Sequence, residues 1–576
     1  MFCGQILRRK KNKNKNMAKI KETYKNLKRS REIVQVLMRH GLGYVFDLPQ
    51  VEKYLQIGKR FSSKKRGDEK LEKLTLENRV RLALEELGPT FIKLGQVVST
   101  HPDLVSPELI KELSKLQDSI SPIPSEIIKK QIKRELKKPV DELFAVFGEK
   151  PIAAASLSQV HKAKLRTGET IAVKVQRPGI VETVENDISI LYELVELLET
   201  KWFRSVSYSP KEFVDEFAET IRDELDFSLE ARNAEKFASN FVNEDSVKIP
   251  KVYSEFTSSK ILVSEFISGT KISKVPKSKS AKFDKHLIAA RGADMALKQI
   301  FEDGFFHGDL HPGNVFVQEG NVIALIDFGM VGRIDQDAMN DLADMLMSLT
   351  KFDADGIVRS LDRMDIIDAD TDTKKIKKEI NKLIDKYYGL ELHELEVGKI
   401  LTDVMEVIRK NNIRIPSEFA LLFKTLITAE GIARELDPNF NMVEHIKPFV
   451  KKLVREKYGP KSVLKEGVGF MEDSLGVLKN LPANVDWFFK SLKRGKLYVG
   501  LEHRGLEKMD ATIDRASNRL SFSLIISSLI VGSSLIMSID KGPFFLGYPA
   551  LGIMGFLFAA ILGLGLVISI IRGGRF

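Results

Sequence analysis

One cysteine, Cys3, stands in 576 residues. That excludes a disulfide framework and a cysteine-ligated metal cluster, since each needs several thiols. Basic charge is also scarce where a nucleic-acid partner would need it. The formal net charge is +11, yet residues 1–31 hold twelve Lys/Arg and one Glu, which already gives +11 and leaves the remaining 545 residues neutral. The excess is a basic arm, residues 1–19, rather than a basic face on a fold, so no nucleic acid is expected. No apolar segment follows the arm, which excludes a secretory signal. Three readings of the arm stay open. It is drawn to anionic lipid at about 1 kcal/mol per basic residue, it is a solubilising tail, or it precedes a start at Met17. No internal repeat is found.

What is present is chemistry for phosphate. His307-Gly308-Asp309-Leu310-His311-Pro312-Gly313-Asn314 is followed by Ile326-Asp327-Phe328-Gly329. An Asp five residues before an Asn, then an Asp-Phe-Gly triplet, is the layout of a protein-kinase active site. Asp309 is suited to orient or deprotonate an attacking hydroxyl. Asn314 and Asp327 are suited to hold Mg²⁺ against the phosphates of ATP. Strand-like apolar runs precede both metal residues.

Upstream, Thr170-Ile171-Ala172-Val173-Lys174-Val175 is an alternating strand carrying one Lys, matched to the Val-Ala-Ile-Lys strand whose lysine grips the α/β-phosphates. Thr167-Gly168-Glu169 is the expected hairpin turn before it. The glycine-rich loop expected next is missing. In its place stand Ala153, Ala154, Ala155 and Ser156, with Val160 in the following strand. Alanine does not follow glycine into positive φ, and its methyl limits the approach of backbone to phosphate. Ile261 to Gly269, with Glu265 near its end, sits where a hinge would bind adenine through backbone groups.

The alanine loop, the Ile-Ala-Val-Lys strand, HGDLHPGN and IDFG together resemble the UbiB family of atypical, protein-kinase-like ATPases. Gly88-Pro89-Thr90-Phe91-Ile92-Lys93-Leu94-Gly95-Gln96 carries the Lys-x-Gly-Gln element of that family, which ordinary protein kinases lack. Family members generally have Arg where this chain has His101. The resemblance implies that Glu230 pairs with Lys174, and that Glu224 and Asp226 approach Lys93 while Gln96 shares its helix face. Read as one continuous helix, residues 223–231 place Glu224 and Asp226 about 200° apart. The resemblance further implies that the Lys93 segment covers the site, and that ATP is hydrolysed in support of isoprenoid-quinone or prenyl-lipid biosynthesis. Expected partners are a membrane lipid or prenylated quinone precursor, and enzymes of quinone biosynthesis. Two rivals remain: a true protein or small-molecule phosphotransferase, and a non-catalytic nucleotide-sensing membrane scaffold.

The C-terminal end reads as membrane. Leu520 to Ile539 is uncharged, Asp540-Lys541-Gly542-Pro543 interrupts, and Phe544 to Ile571 is apolar again. Twenty helical residues rise about 30 Å, one hydrocarbon core. Arg515, Arg519, Arg572 and Arg575 flank the hairpin, so both ends and the catalytic domain should stay cytoplasmic. Small residues at four-residue spacing (Gly555, Ala559, Gly563; Ser528, Gly532) serve either packing within the hairpin or a homodimer. Leu481 to Phe489 concentrates aromatics for a lipid interface or a core helix. The fold class expected is α+β: a two-lobed protein-kinase-like fold with an N-terminal helical extension and a C-terminal transmembrane helical hairpin. Its divisions are the arm 1–19, the extension 20–144, the N-lobe 145–270, the C-lobe 271–440, a juxtamembrane region 441–519 and the hairpin 520–571.

Overall fold

The computed structural model describes residues 28–42, 74–101, 104–116, 121–198, 209–278, 280, 282–367, 371–390, 394–411, 413–458, 506–539, 543–545 and 548–572. The basic arm and the aromatic stretch 481–489 lie outside the described residues. Two compact units divide the chain, residues 1–467 and 468–576.

In the first unit the N-lobe is an antiparallel sheet in the order Phe144–Phe147, Ser158–Leu165, Thr170–Gln176, Ile261–Glu265, with Ala153–Ala154 added onto Ser158–Leu165. Strand alternation sorts the side chains. Ile171, Val173 and Val175 are fully buried, while Lys174 points to the opposite face. The turn works because Gly168 takes φ 109°, a conformation that costs glycine little.

Helices Ser125–Leu136 and Val140–Leu143 share the core of this sheet through Ile128, Ile132, Val140 and Leu143. They belong to the lobe, which therefore begins well before residue 145. Their apolar face has its partner in Val173 and Val263, a pairing that local pattern does not reveal.

The N-terminal extension packs as helices. A helix over 28–39, Leu76–Leu87 and Pro89–Val98 bury Ile33, Ala83, Leu87 and Phe91 against Ile190 and Leu194 of helix Ile180–Leu198. Arg29 ties the same helix at 2.9 Å to Asp187. Gly88 makes the corner between two helices with φ 94°, and Pro89 opens the second. Ser106 caps Pro107–Leu113 by accepting the Leu109 N–H at 3.3 Å, with Pro107 first in the helix.

The C-lobe is mainly helical around short strands. Phe305–His307 pairs with Val331–Arg333, and Val315–Val317 pairs with Ile323–Leu325. Helix Met442–Tyr458, placed by sequence in a juxtamembrane region, instead packs on this lobe. Met442 and Leu453 are buried in its core, and Lys457 reaches Asp344 at 2.6 Å. The lobe thus extends beyond residue 440.

In the second unit, helices Leu506–Met537 and Ala550–Arg572 form an antiparallel hairpin. Their segments Ser517–Met537 and Ala550–Val567 are long and apolar enough to cross a membrane. Leu520, Leu524, Leu551 and Ile561 are each more than 60% exposed, and contiguous exposed apolar side chains mark a surface that meets a membrane or a partner. The second helix starts at Ala550 rather than Phe544. Phe544–Phe545 and Tyr548–Pro549 form a small β-ladder instead, and Pro549 has no N–H to continue a helix backwards.

Gly555 lies against the Ser533 side chain, where a Cβ would collide, and Ala559 is 3% exposed; Gly563 has open space around it. Close approach within the hairpin thus uses Gly555. Gly555→Leu should lower disulfide trapping between Met537→Cys and Gly552→Cys, whose positions touch across the hairpin, several-fold in a Cys3→Ser background, whereas Gly563→Leu should leave it unchanged. Equal effects would mean that the helices do not pack at Gly555.

Candidate active site

The cleft is assembled by two loops that the strands hold side by side. In the ladder between Val315–Val317 and Ile323–Leu325, Val315 faces Leu325. Asn314 and Ile326 therefore emerge at the same end, and the Ile326 N–H donates to Asn314 O at 3.2 Å. Asp327 follows directly. The second ladder pairs His307 with Val331, and the Gly308 N–H donates to Met330 O at 2.9 Å. The two motifs are thus joined on both sides.

Asp309 is held through backbone and side chain. His307 Nδ1 accepts the Asp309 N–H at 3.0 Å. Burial pushes His307 below its ordinary value, which keeps the ring neutral and able to accept. Asn314 Nδ2 donates to Asp309 O at 3.2 Å and to Asp309 Oδ2 at 3.4 Å. The Asn314 amide therefore turns its oxygen the other way.

Lys174 Nζ lies 2.8 Å from both Glu230 oxygens and 3.6 Å from Asp327 Oδ2. Burial opposes the lysine's charge, but Asp327 and Glu230 outweigh it and raise its pKa well above the ordinary lysine range. For Asp327, burial acts upward, yet Lys174 and the Gly329 N–H, 3.0 Å from Oδ1, bring it down to about 2. Asp327 is therefore ionised at neutral pH. Burial pushes Glu230 up to about 7, against the pull of Lys174.

A metal fits this donor set. The Asp327 carboxylate and the Asn314 amide oxygen are hard ligands, and no group of three His, Cys, Asp or Glu able to hold a metal exists among the described residues. Mg²⁺ is usually bound by one or two carboxylates with phosphates and water completing its shell, which suits two oxygen donors beside the Lys174 ammonium.

The alanine loop is a tight hairpin. Ala153 pairs with Val160 and Ala154 with Gln159, and the Ala155 N–H donates to Ser158 O at 2.8 Å. None of its alanines has positive φ, so the loop needs no glycine conformation. Arg177 Nε donates to Ala155 O at 2.8 Å, and Ser156 is fully buried. At the other end of the sheet Glu265 is engaged by Lys248 Nζ at 2.8 Å, and its own N–H donates to Lys251 O at 2.8 Å.

The extension reaches this cleft. Lys93 Nζ on helix Pro89–Val98 is ion-paired with Glu224 Oε1, and its charge also helps to lower Asp327. Gln96 is half-buried on the same helix. The carboxylate segment is not one helix. Pro210–Leu225 ends, Asp226 takes φ −96° and ψ 92°, and Phe227–Asn240 begins. Asp226 caps the new helix, accepting the Ser228 N–H at 3.0 Å. A capping Asp competes with helical backbone, which a helical wheel ignores. His101 contacts a carboxylate, with Nε2 3.3 Å from Glu216 Oε1.

The chain matches the ABC1 atypical kinase-like domain over residues 115–361, the UbiB helical domain over 380–441 and the ABC1/UbiB kinase-like C-terminal domain over 504–572. It is 35% identical over 397 residues to a "Probable protein kinase UbiB" of Marinobacter nauticus, covering 68% of this chain and 73% of that protein. The chain belongs to the ABC1/UbiB family. An "Uncharacterized protein in hydrogenase 1 5'region" of Clostridium pasteurianum is 34% identical over 552 residues, 95% of this chain and 99% of that one. A solved structure, Rv3197 of Mycobacterium tuberculosis in complex with erythromycin, is similar at 22% identity and TM-score 0.46, covering 64% of this chain and 91% of that one.

Several contacts of this ABC1/UbiB site escape sequence reading. Asn233 Nδ2 donates to Phe328 O at 3.0 Å, fixing the Asp-Phe-Gly loop to the Glu230 helix. Gln159 exchanges amide hydrogen bonds with Ile123, at 2.8 and 3.1 Å, docking the extension onto the alanine hairpin. Lys424 Nζ lies 3.3 Å from Asp309 Oδ1. Its only signal in the sequence is that it is the one charge between Glu418 and Glu430.

Glu230 gives a pH dependence. Its folded value is raised, so the folded protein takes up the proton more readily than the unfolded chain. That contribution to stability is full below the ordinary carboxylate range and is lost as pH rises through about 7. The difference in Tm between wild type and Glu230→Gln should therefore shift by several degrees in favour of wild type as pH falls from 8 to 5. A difference that does not change with pH would mean that Glu230 does not titrate there.

Proposed function

We propose that this chain is a membrane-anchored, Mg²⁺-dependent kinase-like ATPase that supports isoprenoid-quinone or prenyl-lipid biosynthesis. The observation that carries the reading is the convergence of Lys174, paired with Glu230, on Asp327, beside Asn314 and Asp309. Lys174 would grip the nucleotide phosphates, and Asn314 and Asp327 would hold Mg²⁺, which supplies charge neutralisation there. Asp309 would orient the attacking hydroxyl and take its proton. The alanine hairpin would cover the nucleotide, limiting how closely backbone N–H groups approach phosphate.

Two features favour hydrolysis or a small acceptor over a protein substrate. The Lys93–Glu224 pair lies near Asp327, with Glu224 next to Gly329. Past Gly329 the chain enters strand Val331–Arg333 and then helix Gln336–Thr350 at once, leaving no long loop to seat a peptide. The quinone or prenyl-lipid pathway rests on the relatives named UbiB, and the membrane setting on the two apolar helices.

The deciding experiment measures ATP consumption by the full chain in detergent and in vesicles, with and without a quinone-precursor mimic, while mass spectrometry seeks phosphorylated products. Mg²⁺-dependent turnover stimulated by vesicles or the mimic supports the reading. A phosphorylated protein would move the function to phosphotransfer, and no turnover under any condition would leave the nucleotide-sensing scaffold.

The Lys93–Glu224 pair has its own test. Lys93→Glu should cut turnover about tenfold or more by leaving like charges together, since a like-charge contact costs on the order of 1–2 kcal/mol. Adding Glu224→Lys should restore part of it. Asp226→Lys should not, because it removes a helix cap worth about 1 kcal/mol. Strict additivity of Lys93→Glu and Glu224→Lys would mean that the two act independently.

A further inference from the structure

We propose that Lys424, on helix Ser417–Leu436 outside the kinase-like core match, is a positioning residue that fixes the Asp309 carboxylate for reaction; this rests on the ATPase reading above. Three consecutive residues of the catalytic loop meet one face of that helix. Thr425 Oγ1 donates to His307 O at 3.1 Å. Leu421 packs on Gly308, where a Cβ would come within 2.7 Å of its side chain. Lys424 Nζ donates to Asp309 Oδ1 at 3.3 Å. Residues 421, 424 and 425 share a face by helical spacing, and Gly308 is the residue that lets the helix come this close.

The two oxygens of Asp309 are divided between partners. Oδ2 faces Asn314 Nδ2 at 3.4 Å and Oδ1 faces Lys424. Asn314 is also the amide suited to the metal, so it is shared between two tasks. Lys424 has no such second task among its contacts here, and it supplies a full positive charge.

Stability is a poor reason for this ion pair. The side chains of Lys424 and Asp309 are 29% and 41% exposed, and pairs that open to solvent contribute about 0–1 kcal/mol. Its value is geometric and electrostatic. A carboxylate that must face an attacking hydroxyl beside a polyphosphate is repelled by that polyphosphate. An ammonium on its far oxygen offsets the repulsion and restricts its rotation. The helical segment matched over 380–441 would in this way complete a site whose other groups lie in the core match.

The test compares Lys424→Met, Lys424→Gln and Lys424→Arg in the full chain in detergent. Wild-type turnover is measured first, so that absence of any ATPase activity is attributed to the functional reading and not to Lys424. Lys424→Met and Lys424→Gln should lower kcat at least about tenfold, with Mg²⁺–ADP affinity by calorimetry within about twofold of wild type. Lys424→Arg should recover most of kcat. Unchanged kcat in Lys424→Gln or a parallel loss in Lys424→Arg would each overturn the assignment. Should Lys424→Met fail to fold, Lys424→Gln and Lys424→Arg still decide it.

Discussion

Replacing Asp309 or Asp327 with Asn is expected to cut ATP turnover at least about a hundredfold while leaving the fold intact. Phosphoryl transfer draws nearly all of its acceleration from charge and position, and losing one such group typically costs 10²–10³ in rate. The two substitutions fail for different reasons. Asp327→Asn removes the charge that attracts Mg²⁺ and also the partner 3.6 Å from Lys174, so it should weaken metal-nucleotide binding as well as turnover. Asp309→Asn leaves the Lys174 cluster alone and should lower kcat with nucleotide affinity preserved. Neither carboxylate is fully enclosed, with side chains 41% and 43% exposed, so each amide is readily solvated and folding should survive. Far-ultraviolet circular dichroism and nucleotide titration check those two points. Wild-type turnover in both variants would sink the nucleotide site.

Deleting residues 520–576 should convert the protein from a detergent-requiring to a freely soluble form with basal nucleotide binding retained, yet abolish its function in cells. The deletion removes the apolar parts of the two C-terminal helices, whose Leu and Ile side chains are exposed and favour an apolar surrounding over water. Every residue placed in the cleft, Lys424 included, lies in the unit 1–467. Adding a foreign tail anchor separates location from contact. Rescue by any anchor would assign the hairpin to tethering alone. Rescue only by the native hairpin would give its helices a lipid or partner to bind. Full cellular function of the soluble truncation would contradict a membrane-lipid substrate.

The legible part of this protein is what short-range chemistry decides. An Asp and an Asn five residues apart, an Asp-Phe-Gly after a buried strand, and a lysine flanked by Val173 and Val175 each depend on neighbours within a few residues. So does the hairpin turn at Gly168, which only needs a residue free to take positive φ. The apolar runs near the C-terminus are equally local, since composition alone decides whether a helix is long and apolar enough to cross a bilayer. Lys-x-Gly-Gln, being specific, pointed to the family as well.

Tertiary structure decided the pairings. Lys174 meets Glu230 across 56 residues of chain, and Lys424 meets Asp309 across 115; no periodicity encodes either distance. It also chose between two carboxylates that sequence left equivalent. Glu224 is the last-turn residue aimed at Lys93, while Asp226 was spent on capping the next helix. Lobe boundaries moved for the same reason. Ser125–Leu143 and Met442–Tyr458 are amphipathic helices by pattern, but only packing tells which core accepts their apolar face. A helix reports that it must bury one side; which surface it finds there is settled by the whole chain.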